Sequence, residues 1–151
     1  MFGTLSLSED GYLDAGEHPA DWKLVAATFG VGERRRVLLE GLLMLLRDLR
    51  IAGVTSVWLD GSFVTDDPEP RDFDLCWSPL GADKTKLPAE FGYGRGTALD
   101  PKTSNHDLLK LKYRGDVFVH LPPFADFVAL LSQDREGRPR GIVKIDMESV
   151  P

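Results

Sequence analysis

The stretch that decides the fold is VWLDGSFVTDDPEPRDFDLCW, residues 57–77. One apolar run ends at Gly61 and Ser62, and a second apolar run carries Asp72 and Asp74 at its start. Short runs rich in β-branched and aromatic residues favour strands. The two prolines of the polar connection prevent a regular helix between the runs. The stretch therefore predicts two strands that place a hydroxyl and two carboxylates at one end of a sheet.

The rest of the chain predicts helices and strands that surround this pair. The predicted helices cover about 21–29, 33–50, 101–110 and 124–131, and the predicted strands cover 54–59, 73–77, 116–121 and 141–145. Residues 1–20 lack periodicity and are expected to form an extended lead-in, and the last strand is expected at a sheet edge. Residues 78–100 are expected to form a long loop with one helical turn near 87–91. The pattern predicts an α/β fold in a single domain, residues 1–151.

Composition excludes several classes of function. The chain of 151 residues has 24 acidic and 18 basic side chains, a net charge of −6, which disfavours generic DNA or RNA binding. The most apolar stretch, residues 37–49, is interrupted by charges and is too short to cross a membrane. The polar N-terminus does not predict a signal peptide. The single cysteine, Cys76, is expected to be a buried thiol, which favours a reducing cytoplasm.

The acidic residues around the second apolar run suggest a metal site. Asp72 and Asp74 are two residues apart, so in a strand they project from the same face. A divalent cation relieves their repulsion, and Mg²⁺ prefers one or two carboxylates together with phosphate oxygens and water. A two-metal site needs a further carboxylate, and Asp116, which opens the third predicted strand, is the candidate. Gly61 and Ser62 are the candidates for binding phosphate oxygens.

The spacing of these residues resembles a known motif. Gly61-Ser62, nine further residues and then Asp72-Phe73-Asp74-Leu75 are similar to the Gly-Ser and Asp-x-Asp motif of the nucleotidyltransferase superfamily related to DNA polymerase β. An acid on a later strand, here Asp116, completes that pattern. The wider sequence resembles an uncharacterised bacterial group of small nucleotidyltransferase-like proteins. The segments that carry this wider resemblance are Gly11-Tyr12-Leu13, His18-Pro19, residues 58–65, Asp72-Phe73-Asp74 and Gly141-Ile142-Val143.

The resemblance implies a fold and an activity. The fold would be a minimal nucleotidyltransferase fold, a small mixed β-sheet flanked by helices with the site at one sheet end. Asp72 and Asp74 would bind two Mg²⁺ ions, Asp116 would bind the catalytic ion and act as base, and Ser62 would hold the triphosphate. The activity would be Mg²⁺-dependent transfer of an NMP from an NTP to a hydroxyl acceptor. A protein and a tRNA, in a toxin–antitoxin or defence setting, both stay open as acceptors.

Two departures from the superfamily pattern support a second interpretation. Members of the superfamily usually have a helix between Gly-Ser and Asp-x-Asp, whereas residues 63–71 contain two prolines. The residue before Gly61 is usually apolar, but in this chain it is Asp60. These departures affect the residues that would hold triphosphate. The alternative is therefore a catalytically degenerate protein that uses the nucleotidyltransferase fold for binding.

Two charged features also have two interpretations each. Arg34, Arg35 and Arg36 open the helix at 33–50 and could grip a phosphate. A solvated first turn is the favoured interpretation, because positive charge gains nothing from a helix N-terminus. Asp60 could be an auxiliary acid, and a hydrogen-bond acceptor in a loop is the favoured interpretation.

Overall fold

The computed structural model describes residues 3–92, 106–123 and 126–151. The strands are β1 Gly16–Ala20, β2 Ser56–Asp60, β3 Phe73–Trp77, β4 Gly115–Val119 and β5 Gly141–Asp146. The helices are α1 Trp22–Phe29, α2 Glu33–Ile51, α3 His106–Tyr113 and α4 Phe127–Leu131. Among the described residues, no helix is long and apolar enough to span a membrane.

The five strands form one sheet in the order β1-β5-β2-β3-β4. β2 runs antiparallel to both of its neighbours, β5 and β3. β1 pairs in parallel with β5, and β4 pairs in parallel with β3. The predicted α/β class, with a mixed sheet flanked by helices, is confirmed.

The edge of the sheet differs from the prediction. Residues 16–20 were expected in an extended lead-in, but they form the edge strand β1. The predicted edge strand, β5, consequently lies between β1 and β2. Period-two alternation is weak in Gly16–Ala20, and Pro19 argues against a strand in the middle of a sheet. Proline is tolerated in β1 because this strand has only one neighbour, so one of its sides needs no hydrogen bonds.

The core lies on one face of the sheet, under α1, α2 and α3. The apolar stripe of α2 is fully buried there at Leu38, Leu42, Leu45, Leu46 and Leu49, and it is partly buried at Val37. The helix begins at Glu33 and ends at Ile51, one residue beyond the predicted bound. Burial of this stripe, rather than intrinsic helix propensity, supplies most of the stability of a helix.

The opposite face of the sheet is covered much less. Trp58, Cys76 and Ile142 form a small apolar cluster, against which α4 packs. Cys76 is fully buried, as predicted, and burial raises the pKa of its thiol to about 12. The helix α4 is short and spans only Phe127–Leu131.

Several predicted bounds fall near segments outside the described residues. Of the predicted helix at 101–110, the described part is α3, which begins at His106 and continues to Tyr113. Residues 101–105 lie outside the described residues, as do 93–100 of the predicted loop and 124–125 of the predicted last helix. The helical turn predicted near residues 87–91 is present at Ala89–Phe91.

Candidate functional site: an acidic cleft at the end of the sheet

Three aspartates lie side by side across the sheet. In the strand register Asp60 pairs with Asp74, and Asp74 pairs with Asp116. Neighbouring strands are about 4.8 Å apart, and paired residues project from the same face. We call Asp60, Asp74 and Asp116 the aspartate row. The expectation that Asp60 lies in a loop was wrong, because it is the last residue of β2 and belongs to this row.

Asp72 joins the row from the segment that leads into β3. Asp72, Asp74 and Asp116 each offer a carboxylate oxygen, and these oxygens lie within 4.8 Å of one another. All three side chains are partly buried. The structure therefore brings together the three acids that the sequence proposed, although Asp116 is 42 residues from Asp74 (116 minus 74).

Burial and mutual repulsion disfavour the charged forms of these acids. The pKa of Asp74 rises to about 7, first because of burial and then because Asp116, Asp72 and Asp60 are negative. The pKa of Asp60 also rises to about 7 because of burial, although a hydrogen bond from the backbone of Gly61 opposes the rise. A cation placed among these carboxylates would favour their ionised forms.

Lys110 places a positive charge beside two of these acids. Its ammonium nitrogen lies 3.0 Å from Oδ2 of Asp72 and 3.4 Å from Oδ1 of Asp116. The hydrogen bond to Asp72 and the negative charge of Asp116 raise the pKa of Lys110. The sequence prediction missed this residue. The only signal was the short connection between α3 and β4, which places the last turn of the helix beside the start of the strand that carries Asp116.

Gly61 lies directly against the carboxylate of Asp74. Its φ angle is +86°, a conformation that other residues adopt only with strain. A Cβ atom added to Gly61 would lie 2.5 Å from Oδ2 of Asp74. Ser62 then begins a short 3₁₀ turn, Ser62–Val64, at the mouth of the cleft. Both predicted phosphate-binding residues are therefore next to the acids.

The connection between Ser62 and Asp72 is held by an arginine rather than by helical hydrogen bonds. Arg35 is 6% exposed. Its Nη1 donates to the carbonyls of Phe29 (3.1 Å) and Phe63 (2.6 Å). Its Nη2 donates to the carbonyls of Thr65 (2.7 Å) and Asp67 (2.6 Å), and its Nε donates to Asp67 at 3.1 Å. One guanidinium thus satisfies four backbone carbonyls.

Arg34 continues this pattern. Its Nε donates to the carbonyl of Pro70 at 2.9 Å, and its Nη2 donates to the carbonyl of Arg71. The prediction of a solvated first turn was therefore wrong for Arg34 and Arg35, and it holds only for the exposed Arg36. The helix N-terminus gives arginine no advantage, but the carbonyls of an irregular segment packed beside it do.

The N-terminal segment holds the same connection from the other side. The backbone N–H of Asp66 donates to the carbonyl of Gly11 at 3.1 Å, and Tyr12 forms an isolated β-bridge with Thr65. The Thr65 hydroxyl donates to the carbonyl of Ser62 at 2.7 Å. The lack of a regular helix at residues 66–70, predicted from the prolines, is confirmed, and these contacts replace its hydrogen bonds.

A cleft of about 880 Å³ lies between the aspartate row and this connection. Its third wall contains Arg140, whose guanidinium lies 3.5 Å from the ring centre of Tyr12. Arg140 also pairs with Asp134 at 3.0 Å and with Asp10 at 3.6 Å. A volume of this size is typical of small-molecule sites.

The donor set of the cleft fits a hard divalent cation. Asp72, Asp74 and Asp116 contribute only oxygen ligands, and Mg²⁺ is bound in proteins by one or two carboxylates with water and phosphate oxygens. Ser62 also lines this cleft, and a serine hydroxyl can donate a hydrogen bond to a phosphate oxygen. The arrangement suits chemistry that depends on position and charge neutralisation.

The fold and the cleft define a small α/β protein with an acidic site at the end of a mixed sheet. The chain belongs to a family of unknown function, DUF6932, whose model matches residues 5–146. No curated protein and no solved structure matches it.

Proposed function

We propose that the protein is a Mg²⁺-dependent nucleotidyltransferase, which moves an NMP from an NTP to a hydroxyl acceptor. The observation that carries the proposal is the set of oxygens of Asp72, Asp74 and Asp116 within 4.8 Å of one another. Their position beside Gly61 and Ser62 supports it, because a triphosphate needs both a metal and hydrogen-bond donors.

In this proposal each residue has one task. Asp72 and Asp74 would hold Mg²⁺, which would neutralise phosphate charge, and Asp116 would help to hold a second ion and would accept the proton of the attacking hydroxyl. The hydroxyl oxygen forms a bond to the α-phosphorus, and the bond from that phosphorus to the β-phosphate oxygen breaks. Pyrophosphate leaves with the bonding electron pair. Ser62 and the backbone N–H groups after Gly61 position the phosphates.

The acceptor carries a hydroxyl, and we propose a protein partner before a tRNA. The net charge of −6 disfavours a long polyanion as partner. A protein acceptor fits a toxin–antitoxin or defence setting in the cytoplasm, where NTP and Mg²⁺ are present. The free buried thiol of Cys76 is compatible with that compartment.

A second candidate function is binding without catalysis. Lys110 already places a positive charge between Asp72 and Asp116, which favours a metal-free site in a degenerate protein. The cleft itself favours the enzyme, since residues such as Thr65 and Glu69 from the proline-containing connection line the space rather than fill it.

Calorimetry of nucleotide binding separates the two functions. With Mg²⁺, wild-type protein is expected to bind ATP or another NTP, and in EDTA binding should be lost. Asp72→Ala/Asp74→Ala should weaken binding by at least about 100-fold, as expected when metal ligands are removed. Glu69→Gln is the matched control, because Glu69 lines the cleft outside the aspartate row. Metal-independent binding would instead support the degenerate protein.

The acceptor can be tested by labelling. NTP labelled at the α-phosphate is incubated with the protein, with the product of a neighbouring gene, and with bulk tRNA. Label transferred to the neighbouring protein supports a protein acceptor, and label transferred to tRNA contradicts it. Neither transfer should occur with Asp116→Asn.

A further inference from the structure

Lys110 lies in the position that a bridging cation would take. Its ammonium contacts one oxygen of Asp72 and one oxygen of Asp116, and these residues provide two of the three carboxylates that could hold a metal. The side chain of Lys110 is 49% exposed, against 25% for Asp72 and 30% for Asp116. The side chain of Lys110 is therefore more accessible to solvent than the two acids that it contacts.

A metal ion and this ammonium would share the negative charge of the same two carboxylates. Mg²⁺ is bound through direct contacts of about 2.1 Å, and an ion of charge +2 in such contact leaves the carboxylates with less attraction for the ammonium. Two cations a few ångströms apart also repel each other. An ion bound between Asp72 and Asp116 would therefore favour displacement of Lys110.

The chain provides somewhere for Lys110 to move. Lysine has a flexible four-carbon stem, so its ammonium can shift by several ångströms without any change in α3. Lys110 lines the cleft that also contains Ser62 and Arg71. A triphosphate in that cleft would offer the displaced ammonium a group of opposite charge, and lysine binds phosphate as a point charge.

We propose that Lys110 is a tethered counter-ion of the empty site, displaced by the divalent metal and then bound to the phosphates of the incoming nucleotide. This inference rests on the proposed function, since it requires the metal and the triphosphate. It assigns Lys110 a role in controlling access to the site: in the empty protein it opposes metal binding, and in the loaded protein it supports nucleotide binding.

The inference makes two predictions of opposite sign for Lys110→Met. Without the competing ammonium, the variant should bind Mn²⁺ about tenfold more tightly than wild type, measured by electron paramagnetic resonance. Without the phosphate contact, it should bind NTP in saturating Mg²⁺ about tenfold more weakly, measured by calorimetry. A general structural defect would weaken both.

Lys112→Met is the matched control. Lys112 lies on the same helix and also forms an ion pair, with Glu90 at 3.3 Å, but it does not line the cleft. This variant should keep wild-type affinities for Mn²⁺ and for NTP. Equal changes in the Mn²⁺ and NTP affinities of both variants would overturn the assignment, because they would show a general effect of removing a positive charge.

The outcomes separate this inference from the proposed function. If wild type binds Mn²⁺ through Asp72 and Asp74, but Lys110→Met binds it equally or more weakly, the inference fails and the metal site stands. If neither protein binds Mn²⁺, the proposed function fails and the inference fails with it. If only Lys110→Met binds Mn²⁺, the counter-ion role is supported and the wild-type site is the degenerate one.

Discussion

Two walls of the cleft, the aspartate row and the connection at residues 63–71, are built in different ways. The aspartate row follows from strand register, since Asp60, Asp74 and Asp116 occupy paired positions on three neighbouring strands. The connection at residues 63–71 is not a strand of the sheet. Its backbone carbonyls accept hydrogen bonds from the side chains of Arg34 and Arg35. Main-chain pairing can therefore place negative charges beside one another even though their mutual repulsion is unfavourable. An irregular wall instead depends on a few side chains.

The largest change in stability is expected at Arg35, which has most of the role of holding the connection at residues 63–71 in place. Arg35→Met should lower the free energy of unfolding by about 4 kcal/mol, because four backbone carbonyls lose a charged donor. Urea unfolding followed by tryptophan fluorescence measures this change. Arg36→Met is the control from the same helical turn, and its exposed side chain predicts a change below about 0.5 kcal/mol. Equal effects would contradict the bracing role of Arg35.

The next effect concerns the aspartate row and depends on pH. The pKa of Asp74 is raised from 3.8 to about 7, so between these values the folded protein holds a proton that the unfolded chain has lost. Its contribution to stability is therefore present near pH 4 and is lost as the pH rises through 7. In EDTA, the free energy of unfolding of Asp74→Asn should rise relative to that of wild type by on the order of 3 kcal/mol between pH 4 and pH 8.

Urea unfolding at several pH values checks the prediction for Asp74. The gain should be absent near pH 3.5, where the carboxyl is protonated in both states. A constant difference between the two proteins across the whole range would contradict the raised pKa of Asp74. Asp60→Asn should show a similar slope, since the pKa of Asp60 is also raised to about 7.

A smaller effect is expected at the junction of the two walls. Gly61→Ala should cost about 2 kcal/mol, from its positive φ and from the contact of the new Cβ with Asp74. Gly81→Ala is the matched control, since Gly81 has a φ of +78° but open space around its Cβ position. Only Gly61→Ala should also weaken Mn²⁺ binding. If the two variants behave alike in unfolding and in Mn²⁺ binding, Gly61 has no special relation to the acids.

The smallest effect is expected at Ser62. Ser62→Ala should change the free energy of unfolding by less than about 0.5 kcal/mol, because Ser62 is only partly buried and lines the cleft. In calorimetry its affinity for NTP in Mg²⁺ should fall about fivefold, the cost of one hydrogen bond. Unchanged NTP affinity would remove Ser62 from the phosphate-binding residues.

The sequence predicted those features that depend on periodicity. The apolar run at 73–77 identifies β3, and the two-residue spacing puts Asp72 and Asp74 on one face. Asp116 could be proposed because it opens a recognisable strand. Its pairing with Asp74 could not be derived, because strand order follows from the packing of the whole sheet.

The features that were missed depend on contacts with no local pattern. Arg35 donates to Phe63, 28 residues away, and no spacing rule connects a helix start with the carbonyls of a later loop. β1 was missed because Pro19 and the charged residues around it do not look like a strand. Its parallel pairing with β5 compensates for that poor propensity.

The most direct test of the central claim is a crystal of the protein soaked in Mn²⁺. Diffraction data collected at the manganese absorption edge locate the ion by its anomalous signal. The account predicts a peak about 2.2 Å from carboxylate oxygens of Asp72, Asp74 and Asp116, with the ammonium of Lys110 displaced into the cleft. A map without a peak, in which Lys110 still bridges Asp72 and Asp116, would contradict it.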